Sequence, residues 1–248
     1  MERTAMSTSD ATRPKPAPTG TVAPDRPGWP EIVVGSLAAL VAMLAIRLFG
    51  VIGLDEDPVV YGLILTAWSG VIGLIAFAVA ALIRIRSWGA FSVRRTSWRW
   101  VLVGVAAGVV ALLLKGLVNL GVITVTGFDA DPQGDYYDAA GGGVLPLILT
   151  FLFLSILTPI GEEFFFRGVV TNALLRYGPV IGVVSSSVFF ALVHGINMAL
   201  PSALVVGIIA AEVMRRSGSI WPAVIVHAVN NVGLPLLVLV TGTTGPAA

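Results

Sequence analysis

Seven long, nearly uninterrupted apolar runs dominate the chain, most of them near the length an α-helix needs to cross a bilayer. They extend from Ile32 to Gly53, Val59 to Ile83, Trp100 to Val125, Val144 to Ile160, Val180 to Ile196, Leu200 to Met214 and Ile220 to Val240. A span takes about 20 mostly apolar residues because the hydrocarbon core is about 30 Å thick. Inside that core every backbone amide must be satisfied by the protein itself, which leaves only helices and closed barrels. The runs are continuous and do not alternate, so a barrel is excluded. The expected fold is all-α: a polytopic transmembrane helix bundle of about seven membrane helices with a broken fourth helix. That fourth run is interrupted by a Glu-Glu pair, resumes its apolar character to Tyr177, and stops at Gly178-Pro179. Hydrophobic residues are 56% of the 248 and charged residues 12%, with mean hydropathy +0.91. Those proportions exclude an ordinary soluble enzyme.

Residues 1–29, rich in Pro, Thr, Ser and Ala and without a continuous apolar h-region, read as a disordered tail and not as a secretory signal. Residues 30–143 read as N-terminal membrane helices, 144–241 as a membrane core, and 242–248 as a short tail. The absence of cysteine removes disulfides, thiol catalysis and thiolate metal sites. Arg84, Arg86, Arg94, Arg95 and Arg99 follow the second run, Arg176 the fourth, and Arg215 and Arg216 the sixth. The positive-inside rule then places the N-terminus in the cytoplasm and the C-terminus outside. Asp55, Glu56 and Asp57, and Asp129, Asp131, Asp135 and Asp138, fall in the opposite connections. Pairs of small residues such as Gly104 with Gly108, Gly182 with Ser186 and Gly207 with Ala211 read as helix packing.

Ionisable groups are expensive in lipid, so those inside the apolar runs are functional candidates. The fourth run carries Glu162, Glu163 and Arg167; the fifth and seventh carry the chain's two histidines, His194 and His227. Glu163 and Arg167 are i,i+4 neighbours able to pair on one helical face. Glu162 points about 100° away and is left without a partner on its own helix, the natural candidate for a general base. Phe190 shares a face with His194, and His227 with Asn231, with Asn230 a close competitor. At about 1.5 Å per residue, Glu162 and His194 both lie roughly 20 Å from the cytoplasmic ends of their helices. His227 lies only about 10 Å into the last helix and joins them only if that helix tilts or starts deeper.

These residues form three motifs, Glu162-Glu163-x-x-x-Arg167, Phe190-x-x-x-His194 and His227-x-x-x-Asn231, on successive membrane segments. In that order they resemble the CAAX-protease and bacteriocin-processing membrane proteases, also called the Abi family, over about Val144 to Val240. The resemblance implies an intramembrane endopeptidase in which Glu162, helped by His194, activates a water while His227 and Asn231 stabilise the oxyanion. Glu163 and Arg167 are then a structural ion pair, and Phe190 a supporting residue. The expected partners are the lipid bilayer and a peptide or protein substrate reached from the membrane or the cytoplasm, through a site opening toward the cytoplasm; no nucleic acid is expected. Members of the family are often labelled metalloproteases. No H-E-x-x-H is present here, and using Glu162 as a ligand would remove the base. The reading is therefore no cofactor and no metal, with zinc held by Glu162, His194 and His227 as the alternative.

Two other functions are compatible with the same residues. A proton-coupled transporter would use Glu162, Lys115 and the histidines as a relay, but no internal repeat is evident. A catalytically silent scaffold or immunity protein of the same fold would keep the motifs for packing. Ser185, Ser186 and Ser187 lack a G-x-S-x-G setting and read as hydroxyls satisfying backbone carbonyls. Glu212 reads as an interfacial partner of Arg215 and Arg216. Lys115 and Asn119, near the middle of the third run, line a cavity or approach Glu163.

Overall fold

A computed structural model describes residues 26–48, 57–127 and 133–242. Most of the N-terminal tail, Asp55 and Glu56, Asp129 and Asp131, and all but the first residue of the C-terminal tail lie outside the described residues. Among those described there are eight helices and no strand. They are α1 (Trp29–Leu48), α2 (Pro58–Ile83), α3 (Trp98–Thr126), α4 (Gly134–Gly141), α5 (Val144–Tyr177), α6 (Pro179–Val193), α7 (Ala199–Ser217) and α8 (Trp221–Thr241). Local chemistry accounts for several of the ends. The Asp57 carboxylate caps α2 by accepting from the Val59 and Val60 amides, with Pro58 in the first turn where its missing N–H costs nothing.

Five helices, α1, α2, α3, α5 and α8, are long and apolar enough to cross a membrane. Helices α6 and α7 form where the fifth and sixth runs were expected. Helix α6 is a shorter apolar helix, and α7 carries Glu212, Arg215 and Arg216 in its last turns. Large apolar side chains such as Leu37, Val41, Leu113 and Leu117 face outward, the arrangement that a lipid solvent favours. The protein is a multi-pass, all-α membrane bundle.

The interruption expected in the fourth span takes a specific form. Helix α5 is continuous for 34 residues, but it widens into π-helix at Phe153–Leu157 and again at Phe164–Thr171, on either side of Thr158–Glu163. A π turn shifts side-chain register and leaves carbonyls for other donors, and such turns occur frequently at functional sites. Here Asn231 of α8 donates to the Leu154 carbonyl at 3.0 Å, and Thr171 Oγ1 donates to the Phe166 carbonyl.

Packing sets the depth of each helix. Helices α2 and α5 run parallel in near backbone contact: a Cβ on Gly161 would lie 1.9 Å from the Gly70 carbonyl oxygen. Helix α8 runs beside α3, where a Cβ on Gly108 would meet Val229 at 2.6 Å. The segment between α2 and α3 folds under the bundle as a short 3₁₀ turn, Trp88–Phe91, that buries Phe91 against Phe77. The start of α8 rests on this segment, with the Ile220 amide donating to the Ser92 carbonyl and Ser219 Oγ to the Arg94 carbonyl. Helix α8 thus starts deep inside the bundle, which is the condition His227 needed.

Candidate active site

Four helices deliver the charged and polar groups to one place. From α5, Glu163 Oε2 lies 2.9 Å from Arg167 Nε, and both side chains are buried, at 0% and 1% exposure. The other Glu163 oxygen lies 2.9 Å from His227 Nδ1. The Arg167 guanidinium also sits 4.4 Å above the centre of the Phe190 ring and donates to the Gly207 carbonyl of α7. The cation is therefore held by a carboxylate, an aromatic face and a carbonyl.

Glu162 is placed differently. Its Oε1 accepts a 2.6 Å hydrogen bond from Ser69 Oγ of α2. Its Oε2 is buried without a hydrogen-bond partner and faces His194 Nε2 at 4.0 Å and His227 Nε2 at 3.9 Å. Tautomers follow from the partners on the far side of each ring. His194 Nδ1 is 2.9 Å from the Phe190 carbonyl, which only accepts, so Nδ1 carries a proton. His227 Nδ1 donates in the same way to the Glu163 carboxylate. In the neutral form of each ring, Nε2 then presents a lone pair toward Glu162. Phe190 stacks edge-on against both imidazoles, with centroids 4.6 and 5.8 Å apart, and fixes their planes.

The residues singled out from the sequence therefore meet: Glu162, Glu163, Arg167, Phe190, His194 and His227. Asn231 lies beside them, its amide on Leu154 and its Oδ1 accepting from Asn230. Lys115 lines the adjoining cavity and donates to Gln133 Oε1, while Glu163 pairs with Arg167 and His227. Asn119 accepts from Ser202 on the same wall. The serine run behaves as expected, with Ser186 and Ser187 both donating to the Val183 carbonyl. Glu212 pairs with Arg215 and Arg216. Ser69 was missed, because a lone serine in an apolar run carries no periodic signal. Tyr136 on α4 was missed as well; burial, then the Glu162 charge, push its phenol up to about 12, so it stays protonated.

The cavity lies toward one end of the bundle. The cavity is bounded by Lys115, Gln133, His194, Met198, Ala199 and Asn231, among others. Gln133 and the His194–Ala199 turn lie at the end of the bundle opposite Arg84, Arg94, Arg176 and Arg215. The site opens away from the arginine-rich end and not toward it. Phe91, Phe77, Phe164 and Trp221, in successive edge-to-face contacts, fill the arginine-rich side.

The chemistry of the site is that of a buried carboxylate oxygen facing two imidazole nitrogens in a low-dielectric bundle, a hydrolase-like arrangement. Residues 144–233 match the family described as Type II CAAX prenyl endopeptidase Rce1-like. Over this segment the chain is similar to a family of proteases, and residues 1–143 lie outside the match. No curated protein and no solved structure matches the chain.

The labelling of family members as metalloproteases invites a test of the donor set. Imidazole and carboxylate are ligands zinc accepts, but tetrahedral bonds of about 2.1 Å hold neighbouring donors about 3.4 Å apart. The separations from Glu162 Oε2 are 3.9 and 4.0 Å, and no metal-holding group of three His, Cys, Asp or Glu occurs among the described residues. Glu162, His194 and His227 are therefore donors of the type zinc takes, set slightly wider than that edge. A water at hydrogen-bond distance of about 2.8 Å bridges such gaps.

Proposed function

We propose that the protein is an intramembrane endopeptidase in which Glu162 activates a water for attack on a peptide carbonyl. The observation that carries this reading is the unpartnered Glu162 Oε2 facing two imidazole Nε2 atoms at 3.9 and 4.0 Å, close enough for one water seated beside them to reach the carboxylate and an imidazole together. The water donates one hydrogen to Glu162 Oε2 and the other to His194 Nε2, leaving a lone pair for the carbonyl carbon. Glu162 takes the proton as the C–O bond forms and returns it to the amine as the C–N bond breaks. His227, protonated on Nε2 and anchored through Nδ1 on Glu163, faces the developing oxyanion. Asn231 contributes the amide hydrogen not committed to Leu154.

Charge balance supports this division. Ionised Glu162 and Glu163 with Arg167 and a protonated His227 sum to zero, which is the least costly state for a cluster out of water. With the arginine-rich end on the cytoplasmic side, as the positive-inside rule favours, substrate enters from the bilayer or from the opposite face. Peptides of the type named for the family are the first substrates to try.

The test is terminal-peptide mapping of membranes carrying the native protein or Glu162→Gln, alongside zinc analysis of purified active protein. New termini that depend on Glu162, with no stoichiometric zinc and activity that survives chelation, are expected. Full cleavage by Glu162→Gln rejects the base. One equivalent of zinc that tracks activity through removal and restoration rejects the metal-free step.

A further inference from the structure

We infer that Ser69 is a positioning residue for the candidate base: it holds one oxygen of Glu162 so that only the other faces the imidazoles. The inference rests on the peptidase reading for its functional consequence and on the α2–α5 contact for its geometry. A glutamate carboxylate rotates in a broad, two-fold torsional well, so an unanchored Glu162 interchanges its oxygens and samples poses off the reaction line. The 2.6 Å bond from Ser69 Oγ removes that freedom, as a charge-assisted bond to a carboxylate does.

The ordinary role of a hydroxyl in a membrane helix is to bond a carbonyl three or four residues back on its own helix. Thr66, Thr150, Ser186 and Ser187 all do so here. Ser69 instead reaches across to α5. The reach is possible because the two backbones touch: Gly70 lies against Leu157 and Gly161, and Gly73 against Gly161, where any Cβ would fall within 3 Å of backbone. Thr158 Oγ1 adds a second cross-helix bond to the Thr66 carbonyl at 2.7 Å, one turn away from Ser69. The contact is built to hold register, and it places a residue from outside 144–233 in direct touch with the base. The N-terminal helices are thus part of the site and not only its anchor.

The experiment uses the purified full-length chain with Ser69→Ala and Ser69→Thr, assayed on the peptide identified by terminal mapping. Ser69→Ala is expected to lower kcat on the order of tenfold to a hundredfold with KM changed less than about twofold. Ser69→Thr, which keeps the hydroxyl, restores most of the loss. Activity unchanged in Ser69→Ala, or a loss confined to KM, overturns the inference. A second measurement does not depend on catalysis: a double-mutant cycle of Ser69→Ala with Glu162→Ala on the unfolding midpoint in detergent. Coupled effects support the bond and additive ones overturn it. If the native protein shows no Glu162-dependent cleavage, the peptidase reading falls, and the cycle alone then decides whether Ser69 holds Glu162.

Discussion

At the scale of single residues, two adjacent glutamates do opposite things because their surroundings differ. Glu163 is fully buried between Arg167 and His227, so its charge is spent on holding two cationic or polar groups in place. Removing it leaves Arg167 buried and uncompensated, which costs roughly 3 to 5 kcal/mol for a pair of this kind. Glu163→Gln is therefore expected to unfold at clearly lower temperature and to lose activity. Adding Arg167→Met recovers part of the stability, and a thermal-unfolding cycle over the four proteins measures the coupling. Strict additivity would mean that the two side chains do not interact. The i,i+4 spacing of this pair was readable from the chain. The bond from Glu163 to His227, 64 residues away, was not, since no local pattern links them.

At the scale of elements, the close crossing of α2 and α5 is what aligns the candidate base. Gly161→Ala is expected to be strongly disruptive, because the new methyl falls 1.9 Å from the Gly70 carbonyl oxygen. Overpacking of this kind costs about 1 to 3 kcal/mol or more, and any relief by separation of the helices pulls Ser69 away from Glu162. Gly116→Ala, on the outer face of α3 with nothing within 4 Å, serves as the control and is expected to behave like the native protein. Unfolding midpoints and cleavage rates of the two variants check the contrast. The sequence pairs at four-residue spacing do mark packing: Gly104 and Gly108 lie against α8, and Gly182 against Leu175. The tightest crossing escaped that pattern because its partners are divided between two distant segments.

For the whole molecule, the charge asymmetry and the cavity have opposite ends. The arginines gather where α2, α5 and α7 finish, and the cavity opens where α3 finishes and the α6–α7 turn lies. The chain contains no cysteine, so single cysteines report topology without background. With the arginine-rich end in the cytoplasm, Ser87→Cys should react with an impermeant thiol reagent only after the cells are opened, and Asp135→Cys in intact cells. The reverse pattern would invert the orientation and put the cavity mouth on the cytoplasmic side.

What the sequence determined by itself is what each segment owes to the lipid solvent. Backbone that must satisfy its own hydrogen bonds becomes helix wherever the apolar run is long enough, and an ionisable group kept inside such a run marks a place of function. Both constraints act on a segment alone, so the helices, the sorted charges and the set Glu162, Glu163, Arg167, His194, His227 and Asn231 were legible. The tertiary structure decided relations between segments. It set the depth of His227, through a loop folded beneath α8, and the orientation of Glu162, through a serine on α2. It widened α5 into π turns on both sides of the glutamates, and it chose the end at which the cavity opens. Each of these depends on which backbones approach closely, and that is settled by pairwise packing among helices whose contacts are not periodic along the chain.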